Sequence, residues 1–472
     1  METGLTFSDV LLVPKRTPLK SRSEADTSTK FTKNINLHVP LVSANMATVT
    51  EHRMAIAMAR EGGLGIIHQF NTVEEQVAEV KRVKRSTSYV IEDPISVSPH
   101  ISIKEAIETM KNTGVTSLLV TEHNQLKGIF THRDYLFEKD HLKLISAVMT
   151  PFEKMITANP NVEMDEAKRI LHEHRIEKLP LIENGEVRGL ITTKDIRKLE
   201  HWPNCTRDQK GRLRVGAAVG VKDAMERARE LIKVGVDVLV LDVAHAHSDL
   251  VIEKLKSLKA SFQIDVMVGN IATADAARDL IEAGADGLKI GIGPGAICTT
   301  RIISGVGIPQ ITAVIDVVKV AAQYNVPVSC DGGMKFPGDV AKAIAAGAST
   351  IYSGTFFAGT DEAPGFIIMK NGKRYKRYMG SSSYDSSHER KENLQKKKVK
   401  EKLDVFVEGV STLVDYKGSV GDVVKGIVKG LQSGISYCGA HNIQEMQANA
   451  EFIRITASGW KESQSRGEKL SE

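Results

Sequence analysis

The sequence predicts an α/β fold: a TIM (β/α)8 barrel that carries an inserted domain and a long flap at its mouth. Three observations predict it. Short Val/Ile/Leu-rich runs alternate with amphipathic stretches through most of the 472 residues. An internal repeat fills the one large gap in that alternation, and a charged, serine-rich segment interrupts it late in the chain.

The apolar runs, in order, are 39–46, 63–68, 213–220, 236–245, 264–271, 285–293, 326–333 and 348–359. They are apolar rather than alternating, as expected of parallel strands buried on both faces. The intervening stretches VKDAMERARELIKVG, TADAARDLIEAG and FPGDVAKAIAAG have helical periodicity and end in Gly235, Gly284 and Gly347, just before the next strand. Glycine closes a helix in the left-handed conformation cheaply and returns the chain to the sheet. Eight such alternations imply a closed barrel rather than an open sheet.

Between residues 68 and 213 lies far more chain than one helix and two loops need. There Gly114-Val-Thr-Ser-Leu-Leu-Val and Gly128-Ile-Phe-Thr-His-Arg-Asp134 recur as Arg175-Ile-Glu-Lys-Leu-Pro-Leu and Gly189-Leu-Ile-Thr-Thr-Lys-Asp195. Glu105-Ala106 meets Glu166-Ala167 at the same offset. Each copy reads helix, strand, strand, helix and resembles a CBS motif; two copies make a CBS pair. That resemblance implies a regulatory module binding an adenine or guanine nucleotide, with Thr131…Asp134 and Thr192…Asp195 as ribose and phosphate contacts; a purely structural insertion is the alternative. The expected organisation is barrel over 1–87, insert over 88–202 and barrel over 203–472.

The segment 373–412 (KRYKRYMGSSSYDSS, then HERKENLQKKKVKEKLDVFVEGVST) is too charged and too poor in large apolar residues for barrel core. It reads as a solvated loop or, at the loop face of a barrel, as a mobile lid. Composition narrows the setting. Four scattered cysteines without a CxxC pair exclude a disulfide scaffold and a zinc ribbon and suggest a reducing compartment. No run approaches 18 apolar residues and METGLTFSDV lacks a signal-peptide pattern, so a cytoplasmic protein is expected. A net charge of +5 is too mild to argue for nucleic acid, and none is expected as a partner.

Barrel sites lie just beyond the strand C-termini. After the sixth run comes GIGPGAICTTRIISGVGIPQ (291–310), glycine-rich around Cys298. A lone cysteine is usually a small core residue. Cys298, however, follows Gly293-Pro-Gly295 and precedes Thr299-Thr300-Arg301, a polar, cationic setting that favours a thiolate nucleophile. Runs seven and eight end in Asp331-Gly332-Gly333 and Ser353-Gly354-Thr355, the positions where such barrels bind phosphate. Asp331 beside them can accept both hydroxyls of a ribose, so a nucleoside monophosphate with its base towards Cys298 is expected. After run four, Asp242-Val-Ala-His245-Ala-His247 offers a second carboxylate. A metal pair there lacks a third ligand at compatible spacing, and a second ribose contact with Asn270 is favoured. Two ribose sites and a thiol suggest a nucleotide plus a dinucleotide cofactor. Without a Rossmann GxGxxG, that cofactor would lie on the barrel mouth.

GIGPGAICTTR…GVGIPQ, VSCDGG, FAGTDEAPG, GLTFSDVLLVPK, AIAMAREGGLGIIH and the insert together resemble the IMP dehydrogenase/GMP reductase family, over nearly the whole chain. The resemblance implies that Cys298 attacks C2 of the purine. A dehydrogenase passes hydride from IMP to NAD+ and hydrolyses the adduct to XMP with a flap arginine; a reductase expels ammonia from GMP and accepts hydride from NADPH. By position, Asp331 would hold the ribose, with Gly333, Gly354, Thr355 and Tyr378 on the phosphate and Met46, Gly332, Gly380 and Ser381 around the nucleotide. Asp242, Asn270, Gly291 and Gly293 would face the cofactor, and Thr300 with Glu408 would assist proton transfer. The carbonyls of Gly293, Gly295 and Cys298 match a K+ site. A homotetramer, or an octamer through the CBS pairs, is implied as well.

Three positions depart from the family pattern. Ala296 replaces a phosphate-contacting serine, Ser381-Ser382-Ser383 follows Gly380 where the family has MGS, and the flap arginine Arg390 precedes Lys391 rather than tyrosine. The long flap, the insert, IPQITAV and ISYCGAHNIQEMQANAEFIRI favour the dehydrogenase. LKSRSE, SANM, PGDVAKA, EGVST and the missing tyrosine favour the reductase. A catalytically silent nucleotide sensor is the remaining class.

Overall fold

The computed structural model describes residues 3–86, 90–91, 94–200, 202–381 and 407–465. The chain divides into two compact units: Met1–Ser86 with Asn204–Thr206 and Leu213–Glu472, and Thr87–Pro203 with Arg207–Arg212.

In the first unit eight parallel strands close a barrel: β1 (Leu41–Ser43), β2 (Leu64–Ile67), β3 (Gly216–Val219), β4 (Val238–Asp242), β5 (Asp265–Ile271), β6 (Gly287–Ile290), β7 (Val328–Asp331) and β8 (Thr350–Ser353). Val42 pairs with Leu64 and Ile66 with Gly216, and the ring closes where Ile351 of β8 meets Leu41 of β1. Each strand leads to a helix on the outside: α1 (His52–Arg60), α2 (Val73–Ser86), α3 (Ala224–Lys233), α4 (Asp249–Ser261), α5 (Ala274–Glu282), α6 (Gln310–Ala321), α7 (Pro337–Ala345) and α8 (Val420–Tyr437). The architecture is a TIM barrel. The three helix-closing glycines behave as their sequence context requires. Gly235, Gly284 and Gly347 have φ of +84°, +102° and +107°, and each donates its N–H back into the preceding turn.

The strands are apolar because both of their faces are covered. Val42, Leu64, Ile66, Ala218, Val238, Val240, Met267 and Tyr352 fill the interior together with Phe31, Ile35 and Leu37. The last three sit on a short hairpin, Thr29–Lys30 paired with Asn36–Leu37, that closes the end where the strands begin. Thr32 and Asn34 tie that hairpin to Asp265 at the start of β5, and Thr29 donates to the carbonyl of Ser349. Phe31 is fully buried there and contributes about 2–3 kcal/mol by leaving water. With that end plugged, the open mouth lies at the strand C-termini. Val10–Leu12 pairs antiparallel with Phe452–Arg454, joining the two ends of the chain.

One expectation is corrected. The segment 373–412 is not loop throughout: Lys373–Met379 pairs with Ile368–Lys370 and with Ser411–Asp415 in a three-stranded antiparallel sheet. Its charges concealed an alternation in which Lys376 and Tyr378 are buried and Arg377 between them is exposed; Met379 is buried at the strand end. Buried Lys376 donates to the carbonyls of Thr360 and Ala363, so a lysine serves here as a core residue.

The second unit contains the repeat as anticipated in element order. Ile103–Thr113, Ser117–Glu122, Gln125–Thr131 and His132–Tyr135 recur as Met164–Glu173, Lys178–Glu183, Glu186–Thr192 and Thr193–Glu200. Each copy has its own apolar cluster, around Phe130 in the first and Leu181 in the second. The two hairpins join through Glu186 and Gln125. Thr131 and Asp134 form a capping box at the start of their helix, a structural use of that Thr-x-x-Asp pattern.

Candidate active site

A cavity of about 580 Å³ opens at the strand C-termini, within the range of small-molecule sites. Every described residue expected to act in catalysis or to hold the mononucleotide, the dinucleotide or the cation lines it except Gly333, which lies behind the wall, against Phe7 and Pro294. Arg390 lies outside the described residues.

Cys298 sits on the loop after β6, half-buried. Its Sγ is 3.2 Å from Thr300 Oγ1, which donates at 2.7 Å to Glu408 Oε2. The backbone fixes this chain of groups. Thr299 N–H donates to the Glu408 carbonyl at 2.9 Å and Val410 N–H to the Ile297 carbonyl at 3.0 Å, so Cys298 faces Gly409 as one residue of a short ladder. Glu408 is remote in sequence but held to the cysteine loop by main-chain bonds. With the Thr300 hydroxyl directed at the carboxylate, its lone pairs accept from the thiol, and a proton can pass from sulfur towards Glu408. The Arg301 side chain folds beneath the loop, donating to the carbonyls of Ile292 and Ile308.

Asp331 ends β7. Its Oδ2 accepts from Asn270 Nδ2 at 3.0 Å and from Lys289 Nζ at 2.8 Å. Gly332 has φ +81°, and a Cβ there would come within 3.2 Å of the Gly295 backbone. A Cβ on Gly291 would lie 2.3 Å from the Asp331 carbonyl. These glycines permit the cysteine loop to lie directly on the carboxylate-bearing turn.

Across the mouth, Tyr378 is buried against Gly354, where a Cβ would sit 2.4 Å from its hydroxyl. Thr355 Oγ1 is 3.5 Å from the phenol oxygen and Met46 Sδ 3.7 Å from it. Burial pushes the Tyr378 phenol up to about 12, so it stays a hydrogen-bond donor at any working pH. Lys417 donates to the carbonyls of Thr355 and Phe356 behind this turn. Gly380 and Ser381 complete the wall beside Glu408.

Asp242 ends β4. Asn45 donates to its Oδ2 at 2.8 Å, Lys289 reaches its Oδ1 at 2.7 Å, and Gln69 Nε2 donates to its carbonyl. Both amide hydrogens of Asn270 are committed, to Gly291 O and to Asp331. Asn270 therefore orients Asp331 as well as lining the mouth. Gln69 Oε1 is buried without a partner on this side of the cavity. His247 pairs with Asp279 at the surface, away from this set.

Sequence reasoning missed Lys289, Asn45, Tyr352 and Gln310. Tyr352 donates to Asn45, and Gln310 donates to the carbonyls of Ile290 and Asp331. Only Lys289 carried a signal: it is the one charge inside the apolar run GLKIG.

The description "IMP dehydrogenase / GMP reductase domain" matches residues 4–466. An inosine-5'-monophosphate dehydrogenase from Nitrosopumilus maritimus is 49% identical over 467 residues, 98% of each chain. A GMP reductase from Leishmania major is 45% identical over 98% of this chain and 96% of its own. Among solved structures, a cysteine-to-alanine variant of GMP reductase from Trypanosoma brucei, in complex with guanosine 5'-monophosphate, gives a TM-score of 0.87 at 42% identity, covering 99% of both chains. A glycine-bedded thiol with a Thr–Glu relay, facing a carboxylate at the mouth of a barrel, thus coincides with matches along the whole chain: it belongs to the IMP dehydrogenase/GMP reductase family.

Proposed function

We propose that the chain is an NAD-dependent IMP dehydrogenase, converting IMP, NAD+ and water to XMP and NADH. The observation that carries this is the Cys298–Thr300–Glu408 chain, 3.2 Å and 2.7 Å, opening onto a cavity that also holds Asp331. Asp331 accepts the ribose hydroxyls, and the turn at Gly354 and Thr355, with the Tyr378 hydroxyl, takes the phosphate. Cys298 gives its proton to the Thr300–Glu408 pair and its sulfur bonds to purine C2. A nicotinamide held on the Asp242 and Gly220 side of the cavity would supply the acceptor for the hydride that leaves C2. Water then adds at C2, assisted by Arg390, and the C–S bond breaks to release XMP and restore the thiol.

The residues suit a nicotinamide ring beside Cys298. The cavity continues to Asp242 and Gly220, and the unpartnered Gln69 oxygen leaves the polar set on that side incomplete. Carbonyls of Gly293, Gly295 and Cys298 offer the oxygen ligation that a hard cation such as K+ takes. The Gly295 carbonyl already accepts the Cys298 N–H at 3.1 Å, so a bound cation would stiffen this turn. The repeat unit is a CBS pair that binds an adenine or guanine nucleotide and regulates the barrel, within a homotetramer or octamer. Four cysteines, none of them in a disulfide, support a cytoplasmic enzyme. Among the described residues no helix is long and apolar enough to cross a membrane.

The second reading is an NADPH-dependent GMP reductase. Lys391, where the family's flap has tyrosine, favours it, and so does the Thr300–Glu408 bond, which can protonate departing ammonia. The same intact relay speaks against a silent sensor. Absorbance at the nicotinamide band, with IMP plus NAD+ and separately GMP plus NADPH, decides direction. Steady NADH production from the first pair is expected; turnover of the second pair alone would make the chain a reductase.

A further inference from the structure

Lys289 is the only charged residue on the apolar strand β6, and its side chain is 3% exposed. All three of its ammonium hydrogens are used. One goes to Asp242 Oδ1 at 2.7 Å, one to Asp331 Oδ2 at 2.8 Å and one to Asn270 Oδ1. The Tyr352 ring from β8 covers it at 4.9 Å. The groups that face it are thus two carboxylates, from β4 and β7, a neutral amide from β5 and a phenol from β8. Burial drives the Tyr352 phenol well up, which keeps it neutral. Burial alone would drive the Lys289 ammonium down, but the charges of Asp242 and Asp331 outweigh it and push its pKa up. One cation therefore answers two anions, and the cluster keeps a net negative charge.

We propose that Lys289 is the positioning residue that joins the two halves of the site: a single ammonium is the shared counter-ion of Asp331 on the ribose side and Asp242 on the cofactor side. This rests on the assignment of Asp331 to the ribose. Both carboxylates lie within hydrogen-bond reach of one nitrogen, so each lowers the share of positive charge available to the other. Without the ammonium, two partly buried carboxylates would face each other, and their repulsion would favour a proton on one of them. A protonated Asp331 can no longer accept two ribose hydroxyls. The charge state of the ribose half is thereby tied to that of the cofactor half through one protein side chain.

The test measures the Kd of IMP and of GMP by calorimetry on the full chain between pH 6 and 9. The set is wild type, Lys289→Met, Lys289→Arg, Asp242→Asn and the double variant Lys289→Met/Asp242→Asn. Wild-type affinity should change over this range only as the ligand's own phosphate ionises, with a second pKa of about 6. Lys289→Met should bind at least tenfold more weakly at pH 6 and recover as pH rises, because the raised carboxylate pKa is then passed. Lys289→Arg should stay within about threefold. Asp242→Asn should bind the mononucleotide equally well or more tightly, since Asp331 gains the undivided cation. The double variant should bind better than Lys289→Met alone, because the repelling partner is gone, a rescue that a purely structural lysine would not give. A Lys289→Met pH profile parallel to wild type, or additive losses in the double variant, overturns the proposal. So does a tenfold loss in Asp242→Asn, a measurement that stands even if Lys289→Met fails to fold. A wild type that binds neither nucleotide overturns the assignment of Asp331, and this proposal with it.

Discussion

Cys298 and Cys330 lie on either side of the same carboxylate-bearing turn, and they differ in almost everything that governs a thiol. Cys330 is on β7, fully buried, with Gln310 Nε2 3.3 Å from its sulfur. Burial pushes its pKa up to about 12, so it remains a neutral, inert thiol. Cys298 is on a loop, half-buried, with a hydroxyl and then a carboxylate leading away from it. Reactivity here belongs to the group that takes the proton, not to the element sulfur.

The largest expected effect separates these two thiols. Cys298→Ala should reduce turnover on the order of 10³-fold or more, while mononucleotide affinity stays within about tenfold. Cys330→Ala should keep turnover within about threefold. Retention of a tenth of the wild-type rate by Cys298→Ala would falsify covalent catalysis. Iodoacetamide should label Cys298 in the folded protein and reach Cys330 only in denaturant, as peptide mapping can show.

The next effect tests the carboxylate end of the relay. Glu408→Gln should cost on the order of 10²–10⁴ in kcat, the range for losing a general acid or base. Binding of the mononucleotide should hardly change. A kcat within threefold of wild type would leave the thiol without its proton acceptor and make the 2.7 Å bond incidental.

Arg390→Ala discriminates direction. In the dehydrogenase it should slow steady-state XMP formation by about 10² and leave a burst of NADH, because hydride transfer precedes the hydrolysis it assists. In a reductase the same change should be silent, since no water is activated.

The smallest effects come from groups that only bind or pack. Tyr378→Phe should raise the KM for mononucleotide by a few-fold with little change in kcat. Because the phenol titrates only near 12, wild-type KM should show no step from this group up to about pH 10. A loss of affinity between pH 8 and 10 that disappears in Tyr378→Phe would contradict that burial. Cys330→Ala should lower stability by about 1 kcal/mol, read as a shift in the urea midpoint.

The barrel was legible because its signals are local and redundant. Each strand is an apolar run, and Gly235, Gly284 and Gly347 punctuate the helices between them. The cysteine loop was legible for a different reason: five glycines around one cysteine mark a backbone that approaches its neighbours closely, not an apolar core. Less visible was whatever depends on a partner far away in sequence. Asn45 matters because it reaches Asp242, and Tyr352 because it reaches Asn45. The strand Lys373–Met379 was hidden by charge, since nothing local shows that Lys376 finds two carbonyls in the core. Phe31 and Leu37 belong to a hairpin whose strands are two residues long, too short for periodicity to register. Lys289 was the one recoverable omission, a cation standing inside a strand that is otherwise wholly apolar.

The seam of the barrel lies between β8 and β1, elements near opposite ends of the chain. On the ribosome, β1 therefore waits with one edge bare until Thr350–Ser353 has emerged. Val10–Leu12 waits longer still, for Phe452–Arg454. The repeat unit, whose hairpins pair with near neighbours, is complete long before. Until β8 has emerged, the barrel sheet would keep a bare, apolar edge, the kind of surface chaperones cover, and the Thr300–Glu408 hydrogen bond can form only after Glu408 has left the exit tunnel.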